Sequence, residues 1–166
     1  MKPTPEKLTI IFVEDKAGDA LLLEEVLAER HPDAVLVVID NGAKALHYFE
    51  VKAKVRDVPP PHCILLDTDV PIVTGLQLID FLRGAEAYND TAVYVFASEQ
   101  EYVSINAVTK VSSESFLKKP TDWEGFAALS DLLMKSADAK SNDTQASTSD
   151  SKPEAHAKGE LRLHRK

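Results

Sequence analysis

The sequence predicts an α/β fold, a doubly wound, five-stranded parallel sheet with helices on both faces. Five short apolar runs alternate along the chain with stretches of helical spacing. Strands that alternate with helices are joined by right-handed crossovers, which place the helices on the two faces of a parallel sheet. The runs IIFV, VLVVI and CILL are apolar at every position, as expected of strands buried on both faces.

The predicted strands are rich in β-branched and aromatic residues, which favour extended structure. They span residues 8–13, 34–39, 63–66, 92–97 and 115–118.

The predicted helices show apolar residues three and four positions apart, which places those residues on one face. The first helix carries Leu23, Val26 and Leu27 before Pro32, and the third follows Gly75.

The last helix is predicted to begin at a capping box over 121–124 and to end near Lys135. Beyond it the chain is polar, so ordering it would cost conformational entropy without burying apolar surface. At 166 residues the chain is long enough for one well-buried core. The sequence therefore predicts an N-terminal extension (1–7), a single domain (8–135) and a disordered tail (136–166).

The composition of the chain argues against several classes of function. The net charge of −8 disfavours nucleic-acid binding, because the chain would repel a phosphate backbone. No apolar run approaches the roughly 20 residues that a membrane span needs, and no secretory signal is evident, so a cytoplasmic protein is expected. Cys63 is the only cysteine and is expected in the core, and the five histidines show no metal-binding spacing.

Charged residues follow three of the predicted strands. Glu14 and Asp15 end the first, Asp67 ends the third, and Lys119 ends the fifth, before Pro120. The carboxyl ends of parallel strands meet at one edge of the sheet, where ligands bind. Three carboxylates brought together would repel one another, and a hard divalent cation such as Mg²⁺ relieves that repulsion. A strand-end acid can also simply cap the next helix, but several such acids with a lysine favour a site.

Four segments in this order resemble the bacterial response-regulator receiver domain: IIFVED, NGAKAL, ILLDTDVP followed by Gly75, and FLKKP. The resemblance covers roughly residues 8–135. It implies the flavodoxin-like strand order 2-1-3-4-5. The first helix and the long connection at 55–61 most resemble small stand-alone regulators, including those that partner bacteriophytochrome kinases.

The resemblance implies that Asp67 accepts a phosphoryl group from a histidine kinase or a phosphotransfer protein. Asp15 and Asp67 would ligate Mg²⁺ directly, Glu14 through water, and Asp69 through its backbone carbonyl, with Lys119 paired to a phosphoryl oxygen. The chain would then be a phosphoacceptor that catalyses its own phosphotransfer and dephosphorylation, not an enzyme with a separate substrate. It would signal by contact with a downstream protein. A homodimer is compatible with the sequence.

The sequence departs from this family at the predicted switch. Ala97 stands where most receivers carry a threonine or serine, whose hydroxyl bonds the phosphoryl group while an aromatic residue, here Phe116, turns inward. Ser98 is a candidate substitute, and Phe116 is equally compatible with a plain core residue. The Asp69 side chain either modulates the phosphoryl chemistry or faces outward.

Two other functions fit parts of the sequence. Ala97 favours a phosphorylation-independent adaptor with a receiver-like fold. The run Leu66–Val70 also resembles the DxDx(T/V) motif of haloacid-dehalogenase-type phosphatases, although that motif normally lies near the N-terminus and here two β/α units precede it.

Overall fold

The computed structural model describes residues 7–108 and 113–147. Its strands are β1 (Thr9–Val13), β2 (Val35–Ile39), β3 (Cys63–Asp67), β4 (Ala92–Ala97) and β5 (Phe116–Lys118). They form one parallel sheet in the order β2-β1-β3-β4-β5. The predicted fold class and strand order are confirmed, and the strand ends differ from the prediction by one residue at most.

The helices are α1 (Ala17–Arg30), α2 (Gly42–Ala53), α3 (Gly75–Gly84), α4 (Glu99–Val108) and α5 (Trp123–Ser147). Short 3-10 helices lie at Glu86–Tyr88 and Ser113–Ser115.

The alternation of side chains along each strand divides the core into two layers. Ile10 and Phe12 of β1 face α1 and α5, where they join a cluster containing Cys63 and Leu23. Ile11 and Val13 face the opposite layer, with the buried side chains of α2 and α3. These four residues of β1 are fully buried, as the continuous apolar run predicts.

β2 does not follow that prediction. Val35 and Val38 are 37% and 40% exposed although the run VLVVI is wholly apolar. β2 is an edge strand that pairs only with β1, so neighbouring elements cover it incompletely. An apolar run predicts a strand, but the position of that strand in the sheet decides how far it is buried.

The last helix begins and ends differently from the prediction. The amide of Gly125 donates to Asp122 Oδ1 at 2.8 Å, so Asp122 and not Thr121 provides the cap. The predicted end near Lys135 is wrong, since α5 continues to Ser147.

α5 extends about three turns beyond Lys135, and the first of these turns is held to the sheet by side chains that the sequence predicts to lie in the tail. Ala137 is fully buried, and the hydroxyl of Tyr94 in β4 donates to Ser136 Oγ at 2.7 Å. The rest of the predicted tail, 148–166, and most of the N-terminal extension lie outside the described residues. Within the described ranges, no helix is long and apolar enough to cross a membrane.

Candidate functional site

The charged residues predicted at the strand ends come together at one edge of the sheet. β1 and β3 are neighbours paired as Val13 with Leu66, so Glu14 and Asp67 leave their strands side by side. One carboxylate oxygen from each of Glu14, Asp15 and Asp67 lies within 4.8 Å of the others. Glu14 and Asp67 are almost wholly buried, whereas Asp15 is exposed.

Lys119 completes this group from the end of β5. Its Nζ lies 2.9 Å from Asp67 Oδ1, and its side chain is only 14% exposed. Its backbone amide donates to the carbonyl of Ala97 at 3.0 Å, which fixes the start of the β5–α5 loop against β4. Largely buried ion pairs of this kind are held more firmly than exposed ones, because water screens them less.

Burial and proximity shift the protonation of these groups. Burial raises the pKa of Glu14 to about 8, and the neighbouring Asp67 carboxylate adds to the rise. Burial alone would also raise the pKa of Asp67, but its contacts with Glu14 and Lys119 outweigh burial and hold that pKa below its ordinary value. For Lys119, the bond to Asp67 and the surrounding carboxylates overcome burial and raise the pKa. In the absence of a cation, one proton is therefore retained on Glu14 beside an ionised Asp67.

The donor set fits a hard divalent cation. With both groups ionised, the buried oxygens Glu14 Oε2 and Asp67 Oδ2 have no hydrogen-bond donor in the described part of the chain, and only a proton on Glu14 can join the two carboxylates. Buried carboxylate oxygens without a partner are costly, and coordination of a cation removes that cost. Glu14 and Asp67 lie with Asp15 in an oxygen-only cluster, which suits Mg²⁺ or Mn²⁺ better than metals that prefer nitrogen or sulfur.

Two glycines allow the loop after Asp67 to pack closely. A Cβ on Gly75 would lie 2.5 Å from the carbonyl oxygen of Asp67, and one on Gly42 would overlap the carbonyl oxygen of Val73. The amide of Gly42 also donates to the Pro71 carbonyl at 3.2 Å. Glycine is therefore required at positions 42 and 75, because at both places another backbone segment lies where a Cβ would be.

The same loop contains a strained residue that the sequence analysis missed. Ile72 has φ of 72°, a conformation that β-branched residues rarely adopt, and its side chain is 78% exposed. The amide of Val73 donates across it to the Pro71 carbonyl at 3.0 Å, which closes a γ-turn. No local pattern of apolar residues signals such a turn.

The backbone of Asp69 contacts Asp67, whereas its side chain points into a neighbouring cleft. Its amide donates to Asp67 Oδ1 at 3.3 Å, while its side chain is exposed and lines an open cleft of about 640 Å³ beside the site. Thr68 and Leu76 line the cleft on the same side, and Ser98 and Glu101 line it from β4 and α4.

The end of β4 differs from the other strand ends because no charge follows it directly. Ala97 is fully buried in the core layer next to α3. Ser98 caps α4: its Oγ accepts from the amide of Glu101 at 3.2 Å, and Glu101 Oε2 accepts from the amide of Ser98 at 2.6 Å. This reciprocal capping box follows the spacing S-x-x-E. That spacing could have identified Glu101, which the sequence analysis did not single out.

Phe116 is half-buried and stacks on Tyr102 of α4. Their ring centroids are 4.0 Å apart and their planes differ by 21°. The predicted switch aromatic therefore contacts the helix that Ser98 caps, and it is not enclosed in the core.

The other residues weighed in the sequence lie away from this group. Cys63 is fully buried, and burial raises the pKa of its thiol, as expected of a core cysteine. His62 accepts a hydrogen bond from the amide of Thr9, and His31 contacts Asp131 beside Arg30.

Comparisons with known proteins agree with this architecture. The response regulator receiver domain model matches residues 10–130. The two-component response regulator ARR6 of Arabidopsis thaliana is 26% identical over 139 residues, which cover 81% of this chain and 74% of ARR6. The response regulator Rcp1 of Synechocystis sp. is 30% identical over 70 residues, 42% of this chain and 48% of Rcp1.

Solved structures show the same fold. The bacteriophytochrome response regulator AtBRR matches with a TM-score of 0.62 at 24% identity, over 81% of this chain and 94% of AtBRR. The Mn(2+)-bound form of Rcp1 matches with a TM-score of 0.57 at 22% identity, over 80% of this chain and 91% of Rcp1.

Proposed function

This chain belongs to the response regulator receiver domain family, and from that premise we propose that it accepts a phosphoryl group on Asp67 and signals through protein contacts. The observation that carries the proposal is the setting of Asp67. Its carboxylate is fully buried at a strand end, one oxygen bonds Lys119, and the other is unpartnered beside Glu14. A plain helix cap would explain none of these three features.

In the proposed reaction, a carboxylate oxygen of Asp67 attacks the phosphorus of a phosphohistidine. The new P–O bond forms as the P–N bond breaks, and the released imidazole nitrogen takes up a proton. Lys119 is placed to neutralise charge on the phosphoryl oxygens, because its Nζ is already held at Asp67. Water later hydrolyses the acyl phosphate, which releases inorganic phosphate and restores Asp67.

We propose Mg²⁺ as the cation. Asp15 and Asp67 would hold it directly, Glu14 through water, together with the Asp69 carbonyl, and it would supply charge neutralisation at the transferring phosphoryl group. Ionisation of Glu14 is the protein's own contribution to this arrangement, since an ionised carboxylate accepts hydrogen bonds from water on the ion.

The proposed partners are a histidine kinase or phosphotransfer protein as donor and a second protein as target. The structural likeness to AtBRR motivates a bacteriophytochrome-type kinase as the first donor to test. Such a donor would place the chain in the cytoplasm, where ATP is the phosphoryl source.

A phosphorylation-independent adaptor is the second candidate. Ala97 favours it, because this position offers no hydroxyl to a phosphoryl group. The buried pair of Glu14 and Asp67 argues against it, since burying two carboxylates together costs stability and brings a scaffold no gain. The phosphatase alternative has less support, because two β/α units precede Asp67 and Asp69, whereas the DxDx(T/V) motif normally lies near the N-terminus.

The test is incubation of the full chain with acetyl phosphate and Mg²⁺, followed by intact mass measurement and peptide mapping. We expect one added phosphoryl group on Asp67 and none on Asp67→Asn. Asp69→Asn is the matched control, because it removes a neighbouring exposed carboxylate. Labelling of Asp67→Asn equal to wild type would reject Asp67 as acceptor, and no labelling of wild type would favour the adaptor.

A further inference from the structure

The connection between β4 and α4 places a carboxylate where a phosphoryl group on Asp67 would need hydrogen-bond donors. Glu101 Oε2 accepts from the amide of Ser98 at 2.6 Å, a short, charge-assisted bond. Ser98 follows Ala97, whose neighbour Phe96 pairs in register with Asp67. The Ser98 amide thus lies two residues beyond the position paired with Asp67, on the strand next to β3.

Glu101 shares the cleft next to the acceptor. Its side chain lines the side formed by α4, opposite Thr68 and Asp69, which directly follow Asp67 in the chain. Lys119, the cation bonded to Asp67, also lies within reach of the Glu101 charge, which joins Asp67 and Glu14 in raising the lysine pKa against the effect of burial.

We propose that Glu101 is a positioning residue that competes with the phosphoryl group for the Ser98 amide and for the charge of Lys119, so that phosphorylation displaces it. The inference rests on the proposed function, because it needs a phosphoryl group on Asp67. It assigns to Ser98 and Glu101 together the sensing role that the side chain of Ala97 cannot fill.

Charge decides the competition. A phosphoryl group brings a charge of about −1.5 to −2 at neutral pH, more than the single charge of Glu101, so the shared donors turn toward it. The Ser98 hydroxyl is placed to assist, because a hydroxyl that accepts from the Glu101 amide still has its own hydrogen to donate.

Displacement of Glu101 would also change the exposed face formed by α4 and β5, because few contacts hold α4. None of the side chains from Glu99 to Asn106 is fully buried. The helix is held by its cap, by the stack of Tyr102 on Phe116 and by Ile105, which packs against the core. Tyr102 directly follows Glu101. Release of the Glu101 carboxylate therefore loosens the first turn of α4 at the point where it contacts β5, and this changes the exposed face formed by α4 and β5.

The experiment compares two charge-neutralising variants of the full chain. Glu101→Gln keeps an oxygen that can accept from the Ser98 amide but removes the charge. Glu99→Gln is the matched control: it makes the same charge change on the same turn, but Glu99 is paired with Lys118 at 3.4 Å and is exposed. Both are assayed for the rate of acetyl-phosphate labelling with Mg²⁺ and for the affinity of the phosphoryl analogue beryllofluoride.

We expect Glu101→Gln to label faster and bind beryllofluoride more tightly by about threefold or more, as for removal of one partly screened like charge. Glu99→Gln should match wild type. The Ser98 amide proton gives a readout that a purely structural cap would not move: its NMR signal should shift strongly when beryllofluoride is added to wild type. Melting temperatures of both variants serve to verify that the fold is retained.

The outcomes separate the two proposals. If wild type labels on Asp67 but Glu101→Gln equals Glu99→Gln and the Ser98 signal stays in place, competition by Glu101 is rejected and the phosphoacceptor function stands. If wild type neither labels nor binds beryllofluoride, the phosphoacceptor function itself is rejected, and this inference with it.

Discussion

Two corners of the same sheet edge are built in opposite ways. The acceptor corner, formed by Glu14, Asp15, Asp67 and Lys119, has two wholly buried carboxylates and a lysine bonded at 2.9 Å. The β4 corner, formed by residues 97–101 and the first turn of α4, has one buried alanine and a capping box between partly exposed side chains.

The difference reflects two physical demands. The proposed phosphoryl transfer depends on positioned charges, so the residues proposed to perform it need a rigid, buried setting. The proposed switch needs two arrangements that differ by only a few kcal/mol, so the residues proposed to report the transfer must be held by few and replaceable contacts. Substitutions in each corner test this division.

Replacing Lys119 should give the largest effect, because it removes the only cation bonded to Asp67 in the described residues. We expect Lys119→Met to slow acetyl-phosphate labelling about 100-fold, equivalent to about 2.7 kcal/mol, as for loss of one preorganised charge-stabilising group. Lys118→Met is the control, since Lys118 is exposed and pairs with Glu99 instead. Equal losses in both variants would show that the acceptor corner has no special requirement for Lys119.

The rigidity of the acceptor loop can be tested at Gly42. An added methyl group overlaps the Val73 carbonyl, so Gly42→Ala should lower the free energy of unfolding by about 2 kcal/mol. Gly18→Ala is the control, because nothing lies within 4 Å of its Cβ position. Urea unfolding measures both, and similar stabilities would mean that the loop after Asp67 adjusts freely.

Burial of Glu14 predicts a pH effect confined to the acceptor corner. In the cation-free protein the folded state keeps the Glu14 proton up to about pH 8, while the unfolded chain releases it near the ordinary value of 4.5. The folded state therefore binds more protons in this window, and stability falls as pH rises through it. The lowered pKa of Asp67 acts in the opposite direction, but only below this window.

Mg²⁺ should offset that fall by binding the ionised carboxylates. At a concentration ten times its dissociation constant it stabilises the fold by about 1.4 kcal/mol. Melting temperatures at pH 5.5 and 8.5, with and without Mg²⁺, measure the effect, which should be larger at the higher pH. Glu14→Gln should flatten the pH dependence, and Asp15→Asn should weaken the response to Mg²⁺. A response in Asp15→Asn equal to wild type would place the cation elsewhere.

The smallest effect is expected at the β4 corner. Ser98→Ala removes the hydroxyl that caps α4 and should cost about 1 kcal/mol. Amide exchange should speed up in α4 while β1 and β3 stay protected. Ser104→Ala is the control, because that hydroxyl bonds only a carbonyl one turn earlier, that of Gln100. Faster exchange across the whole sheet in Ser98→Ala would mean that the two corners are not independent.

The acceptor corner was predictable because its members are local features placed by a general rule. Glu14, Asp67 and Lys119 each follow an apolar run, and strand ends of a parallel sheet meet. The β4 corner was not predicted as fully. The S-x-x-E spacing at Ser98 forms a capping box, whereas the similar spacing at Thr121 predicts a capping box that the structure replaces with a cap from Asp122.

The sequence pattern also predicted burial only in part. The apolar run of β2 predicted full burial, but Val38 is exposed because β2 is an edge strand. The polar sequence after Lys135 predicted a tail, but Ala137 is buried and Ser136 bonds Tyr94, so α5 extends further. Small and hydroxyl-bearing residues carry little apolar signal, and the partner that makes them useful lies elsewhere in the chain.

The sequence by itself determined the element order, the parallel sheet and the charged groups at its carboxyl edge, because each depends on periodicity and polarity over a few neighbouring residues. The tertiary structure alone decided that burial beside Asp67 raises the pKa of Glu14, that Gly42 meets the Val73 carbonyl, and that the Ser98–Glu101 cap lies near Lys119. Most of these depend on distances between segments far apart in the chain. Such distances follow from how helices and strands pack, and short-range patterns do not contain them.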